Sequence, residues 1–271
     1  MGTPVGRHNA ALAAAVSAAL ALGLTACGGS GSAAPAQAEK AVSATDQLAG
    51  LVTQVEAMGI VEWTGQLLTR SPDNGGKQIF ELSGRYSDST GYSEVTMDSR
   101  IGGVDQMVDY LVVAGRTYFN SEAWGPTVAD CWADITDDPA RTWALPTNLD
   151  PTWPVTDAKA VGLEGEAVQV TIPAQVVLMG MPRGLFPTVP AELKGVVADG
   201  VVIPHGPLLE VGVDVVGMWA DVPPVELADI DTKRAGWWTM TMKESQDGTS
   251  VQPPKHVFDP AVTPPSQCMK V

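Results

Sequence analysis

The chain has 271 residues, 45% apolar and 6% aromatic, with 16 Lys and Arg against 31 Asp and Glu for a formal net charge of −15. That length and apolar share support a packed core and exclude a wholly disordered chain. The acidity argues against nucleic acid as a partner and against a polybasic membrane footprint.

A basic start (Arg7, His8) leads into a run of small, mostly apolar residues from Ala10 to Leu24. Leu24-Thr25-Ala26-Cys27 and a Gly28-Gly29-Ser30-Gly31-Ser32 tether follow. This order reads as a secretory signal, and the apolar run falls short of the roughly 20 residues a spanning helix needs. The four residues ending in Cys27 resemble the lipobox of bacterial lipoproteins. That resemblance implies a diacylglycerol on the Cys27 thiol and a further acyl group, such as palmitate, on its amine. Two or more chains, at about 0.8 kcal/mol per buried CH₂, make a stable anchor. The alternative is an ordinary signal peptide with a chance cysteine near its cut. The expected organisation is a signal peptide over 1–26, lipidated Cys27 and tether over 27–38, one domain over 39–258 and a tail over 259–271. The expected address is extracytoplasmic, on the outer face of the cell membrane.

Glu39–Met58 carries helical periodicity, with Ala44, Leu48, Leu51, Val52, Val55 and Met58 recurring three or four apart. Gly59 is its expected C-cap. Strands come next. Ile60–Thr69 places Val61, Trp63, Gly65 and Leu67 on one side, and the turn residues Ser71-Pro72-Asp73-Asn74-Gly75-Gly76 follow. Lys77–Tyr86 aligns Phe80, Leu82, Gly84 and Tyr86, and Tyr92–Asp98 aligns Val95 and Met97. Met107–Val113 and Arg116–Phe119 flank a hairpin turn at Ala114-Gly115. The whole reads as an antiparallel meander, with Gly65 and Gly84 expected to let the sheet curve.

Asn120–Asp157 is irregular, holding Trp124, Trp132, Trp143 and Trp153 and the acidic group Asp130, Asp134, Asp137 and Asp138. Strand patterns return at Ala158–Gly162 and Ala167–Ile172. Pro173–Gly206 is apolar yet broken by Pro and Gly. A helix is expected inside it, with Pro190 in its first turn, a face of Leu193, Val196 and Val197, and Gly200 past its end. Leu208–Trp219 is the clearest strand, with Leu209, Val211, Val213 and Val215 alternating with Glu210, Gly212 and Asp214. Val225–Lys233 and Gly236–Glu244 follow, the latter aligning Trp238, Met240 and Met242. Val251–Phe258 adds an edge strand, where Pro253-Pro254 can be tolerated. The fold class is α+β.

Three passages resemble the LolA-like and LprG/LppX-type lipoproteins of actinobacteria. One is the hairpin Val113-Ala114-Gly115-Arg116-Thr117-Tyr118-Phe119, with Trp132-Ala133-Asp134-Ile135 after it. Another is Asp157-Ala158-Lys159 leading to Ala167–Ile172. The third is the ending, Trp237–Lys243 and then Val251-Gln252-Pro253-Pro254. The resemblance implies a curved antiparallel β half-barrel with helices packed on its concave face. It also implies a cavity for acyl chains and a role in carrying lipids or lipoglycans through the envelope. The chain departs from that pattern in its Trp- and Pro-rich middle and in the Pro173–Gly206 insertion.

With Cys27 lipidated, Cys131 and Cys268 remain as an even pair in an oxidising compartment. A disulfide between them closes a loop of about 140 residues, worth about 5 kcal/mol by chain entropy; two separate buried thiols are the alternative. Beyond the signal only His205 and His256 remain as histidines, and no G-x-S-x-G, H-E-x-x-H, P-loop or G-x-G-x-x-G motif appears. No catalytic residue, cofactor or metal follows from this. The acidic group reads as a solvated loop, or as a Ca²⁺ site whose spacing matches no EF-hand.

The expected function is therefore non-enzymatic binding or carriage of an acyl-chain lipid or lipoglycan. Its apolar lining would be Trp63, Leu67, Phe80, Leu82, Val95, Met97, Leu209, Val211, Val213 and Val215. Leu178, Met179, Met181, Leu185 and Phe186 would form an adaptable lid, with Gly180 and Gly184 allowing motion; simple core filling explains the same residues. The alternative function is a surface module with a filled core that docks an envelope protein through its acidic charge and tryptophan-rich loop. A third is an extracytoplasmic hydrolase using His205 or His256.

Overall fold

The computed structural model describes residues 42–99, 106–121, 131–138, 142, 145–183, 193–220, 236–248 and 251–260. Helix α1 covers Ala44–Glu56 and starts at Ser43, whose Oγ accepts from the Asp46 N–H at 3.1 Å and donates to the Asp46 carboxylate at 2.7 Å. Such a cap satisfies one of the orphan donors of the first turn. Leu48, Leu51 and Val55 are its buried stripe. The helix ends earlier than expected: Ala57, right-handed, closes the last turn, and Gly59 has no left-handed φ. Instead the Gly59 carbonyl accepts from the Ser87 hydroxyl at 3.2 Å.

Strands β1 (Val61–Leu68), β2 (Gln78–Ser87), β3 (Tyr92–Ser99), β4 (Gln106–Val113) and β5 (Arg116–Ser121) form the expected meander. Its tightest turn uses Ala114 at φ 52° and Gly115 at φ 74°. Two successive positive φ values make the primed hairpin turn, whose twist matches the strands. β6 (Trp132–Asp134) and the single turn α2 (Trp153–Thr156) follow. Then come β7 (Lys159–Glu164), β8 (Ala167–Pro173), α3 (Ala174–Met179), β9 (Val197–His205), β10 (Leu208–Asp214), α4 (Val215–Ala220), β11 (Trp237–Glu244) and β12 (Val257–Phe258).

All twelve strands lie in one open sheet of order β12-β6-β5-β4-β3-β2-β1-β11-β10-β9-β8-β7. Neighbours are antiparallel except β12 with β6, which run parallel. β1 joins the halves, paired to β2 on one side and β11 on the other. One face, here called inner, carries the core; α1 packs on β7 and β8, α3 on β8 and β9, and α4 on β9 and β11. The outer face is polar along the middle strands, where Arg85 bridges Glu94 at 2.7 Å and Asp247 at 2.9 Å. Toward β3–β5 it carries a small apolar cluster of Tyr92, Leu111, Val113 and Tyr118.

Three expected elements change. The strand expected over Leu208–Trp219 stops at Asp214, whose carboxylate accepts from the Gly217 N–H at 2.8 Å and starts α4. The N–H groups of Val215 and Val216 both reach the Gly236 carbonyl, which fixes that break. Val197, expected on the face of a helix with Pro190 in its first turn, and Gly200, expected past its end, are not part of a helix. They belong to β9, where buried Ala198, Gly200 and Val202 alternate with exposed Val197 and Asp199. Of Val251–Phe258 only Val257 and Phe258 form a strand, because the prolines before them cannot donate to a ladder. The strand expected over Val225–Lys233 lies outside the described residues.

Candidate functional site

The ten residues expected to line a cavity sit on the inner face, each no more than 5% exposed. Register brings them together. Leu67 faces Phe80 on one side and Trp238 on the other, Trp63 faces Met242, and Leu82 faces Met97. Leu209, Val211 and Val213 face Met242, Met240 and Trp238. Directly opposed residues share a face, so this is one continuous apolar surface across β3, β2, β1, β11 and β10. Val215 joins the same core from the first position of α4 rather than from a strand. Val168, Val170 and Ile172 of β8 and Val202 of β9 extend the surface and were missing from the expected lining, although their period-2 pattern is plain in the sequence.

Glycine has steric work here. A Cβ on Gly65 would stand 2.3 Å from Cζ2 of Trp238, so the indole lies directly over that glycine. A Cβ on Gly84 would meet the Glu94 carbonyl oxygen at 1.9 Å, a close backbone approach between β2 and β3. Trp238 also packs against Phe80, ring centroids 5.9 Å apart. The indole N–H groups of Trp63 and Trp238 are buried and find no acceptor among the described residues. An unsatisfied buried donor costs about 1–3 kcal/mol, so two of them in one apolar face call for an acceptor.

The lid residues divide. Leu178 is buried in α3, Met179 is 37% exposed, and Met181 is fully buried in the core. Leu185, Phe186 and Gly184 lie outside the described residues. A Cβ on Gly180 would be 2.1 Å from Nε1 of Trp153, so the glycine makes room for that ring. Trp153 itself is 1% exposed and belongs to the same buried core as Val155, Leu145 and Met181. Trp132 is half-buried on β6, and Trp219, expected in a strand, lies buried in α4. Trp124 and Trp143 are outside the described residues.

The polar candidates lie elsewhere. A pocket of about 470 Å³ is lined by Arg116, Asp134, Thr136, Asp137, Asp138 and residues 257–260. Asp134 is committed to Arg116 and to the Thr136 N–H and hydroxyl; Asp130 is outside the described residues. No group of three or more His, Cys, Asp or Glu among the described residues is arranged to hold a metal ion. His205 Nε2 sits 3.3 Å from Glu210 on the facing strand, an ion pair when protonated. His256 contributes its carbonyl to the Trp132 N–H at 2.9 Å. Among the described residues neither histidine is hydrogen-bonded to a serine, threonine or cysteine side chain.

Cys131 is 2% exposed and disulfide-bonded; Cys268 and Cys27 both lie outside the described residues. Tyr86 has its pKa pushed up to about 12, first by burial, then by the charges of Asp150 and Asp88 and the hydrogen bond to Asp88. No described helix is long and apolar enough to cross a membrane. No family model matches the chain, and no curated protein matches its sequence.

Proposed function

We propose that this protein is a membrane-anchored, non-enzymatic envelope lipoprotein that binds or carries an acyl-chain lipid or lipoglycan. The carrying observation is the uninterrupted apolar inner face, from Val95 and Met97 through Trp63 and Trp238 to Val211, with two indole donors that find no acceptor among the described residues. Acyl chains that displaced the protein now covering this face would leave water at about 25 cal/mol per Å², and ester or glycerol oxygens would satisfy the indoles. Few polar groups within an apolar wall is the usual composition of such sites. The finer architecture belongs to the same proposal: a half-barrel whose concave side is the inner face, with α1, α3 and α4 over β7–β11. Leu178, Met179, Met181, Leu185 and Phe186 would part to admit the ligand. Cys27 would carry the anchor on the outer face of the cell membrane, and Cys131 would pair with Cys268. The LolA-like and LprG/LppX-type resemblance supports this reading through its hairpin and its closing strand.

The test is transfer of a fluorescent phospholipid between donor and acceptor vesicles by the chain beginning at Gly28. Transfer proportional to protein, and quenching of tryptophan fluorescence by the lipid, support carriage. No transfer and no quenching of tryptophan fluorescence by the lipid contradicts it and favours the filled-core module that docks an envelope protein.

A further inference from the structure

The described sheet ends at β7, whose outer edge has no strand beside it. Its residues Val161 and Leu163 are 64% and 40% exposed. An open edge with exposed apolar side chains is a template for another strand.

The strand reads Lys159-Ala160-Val161-Gly162-Leu163-Glu164, with opposite charges at its ends. In a regular strand, residues five apart point to opposite faces. Here a bulge intervenes: Ala160 lies opposite Val170, the next pair is Gly162 with Gln169, and Val161 is skipped. Lys159 and Glu164 therefore lie opposite Thr171 and Ala167, both on the outer face, while Ala160 and Leu163 lie opposite the buried Val170 and Val168. Counted without Val161, the strand is symmetric about Gly162. Among the described residues the Lys159 side chain makes no hydrogen bond or ion pair, and the Glu164 carboxylate accepts only from the Gln169 side chain, at 3.2 Å.

We propose that β7 pairs antiparallel with β7 of a second copy of this chain, Gly162 opposite Gly162, so that two sheets become continuous. In that register each Lys159 faces Glu164 of the other copy on the outer face, and each Ala160 faces Leu163 on the inner face. The bulge, which commonly protects an edge, here brings both charges to one side. A parallel self-pairing in register would instead set lysine beside lysine, which is destabilising. The pairing does not depend on lipid binding.

The full-length chain, purified in mild detergent as a mixture of ¹⁴N and ¹⁵N protein, is treated with a carbodiimide that joins lysine to carboxylate without a spacer. The expected product is a mixed-isotope cross-link between Lys159 and Glu164, with dimers in sedimentation velocity. Lys159→Glu turns both pairs repulsive and weakens dimerisation about tenfold or more; adding Glu164→Lys restores it. Both positions are exposed, and a thermal melt of each variant confirms that it remains folded. A folded chain that sediments as a monomer, or a dimer indifferent to Lys159→Glu, overturns the proposal.

Discussion

Gly65→Ala measures how tightly the inner face is packed. The added Cβ would stand 2.3 Å from Cζ2 and 2.7 Å from Cη2 of Trp238, whereas ordinary contact begins at 3.4 Å, so the ring must retreat by about 1 Å. Trp238 is completely buried and has Phe80 against it. Overpacking of this kind costs about 1–3 kcal/mol, and removing a strand glycine returns about 0.5–1 kcal/mol. The net expectation is a loss of about 1–2 kcal/mol, or about 2–8 °C in Tm for a domain of this size. Urea unfolding followed by tryptophan fluorescence reads the change as a lower midpoint at unchanged slope. Trp238→Phe, with a smaller ring, should relieve the clash, so the double variant loses less than the sum of the singles. A neutral or stabilising Gly65→Ala would refute the packing described here, because it would mean empty space beside Trp238.

Three further outcomes follow from separate parts of the molecule. Ser43→Ala removes the α1 cap and should cost about 0.5–2 kcal/mol, read by urea unfolding; no loss would show that the helix is held by its buried stripe alone. Tyr86 should ionise near pH 12 in the folded protein rather than near 10, seen as a late tyrosinate absorbance step that disappears in Tyr86→Phe. Its folded pKa is raised, so its contribution to stability is complete below pH 10 and is lost as pH rises from 10 to about 12. A non-reducing peptide map should join Cys131 to Cys268, and Cys131→Ser should cost about 2–5 kcal/mol; alkylation of Cys131 without a reductant would contradict the bridge.

Much of the sheet was legible because its strands alternate cleanly. Trp63 and Leu67, Phe80 and Leu82, and Leu209, Val211 and Val213 repeat every second residue, and that alone places them on one buried face. Where the apolar residues run together the signal fails. Val215-Val216-Gly217-Met218-Trp219 fits a strand or a helix equally, and the choice is made by Asp214 and by the distant Gly236 carbonyl. Pro190 and Gly200 suggested a helix from local punctuation, yet Val197–His205 is claimed by pairing with both β8 and β10. The parallel docking of β12 on β6 rests on two residue pairs with no local pattern at all. The glycines have a role with no local signal: Gly65 and Gly180 each accommodate a tryptophan ring from a distant segment.

The central claim is that the apolar inner face holds a lipid. Native mass spectrometry of the chain from Gly28 onward, expressed in an actinobacterial host and then extracted with organic solvent, addresses it directly. The account predicts a stoichiometric adduct of acyl-lipid mass that the solvent removes. A bare polypeptide mass, with no uptake of added lipid, would contradict it.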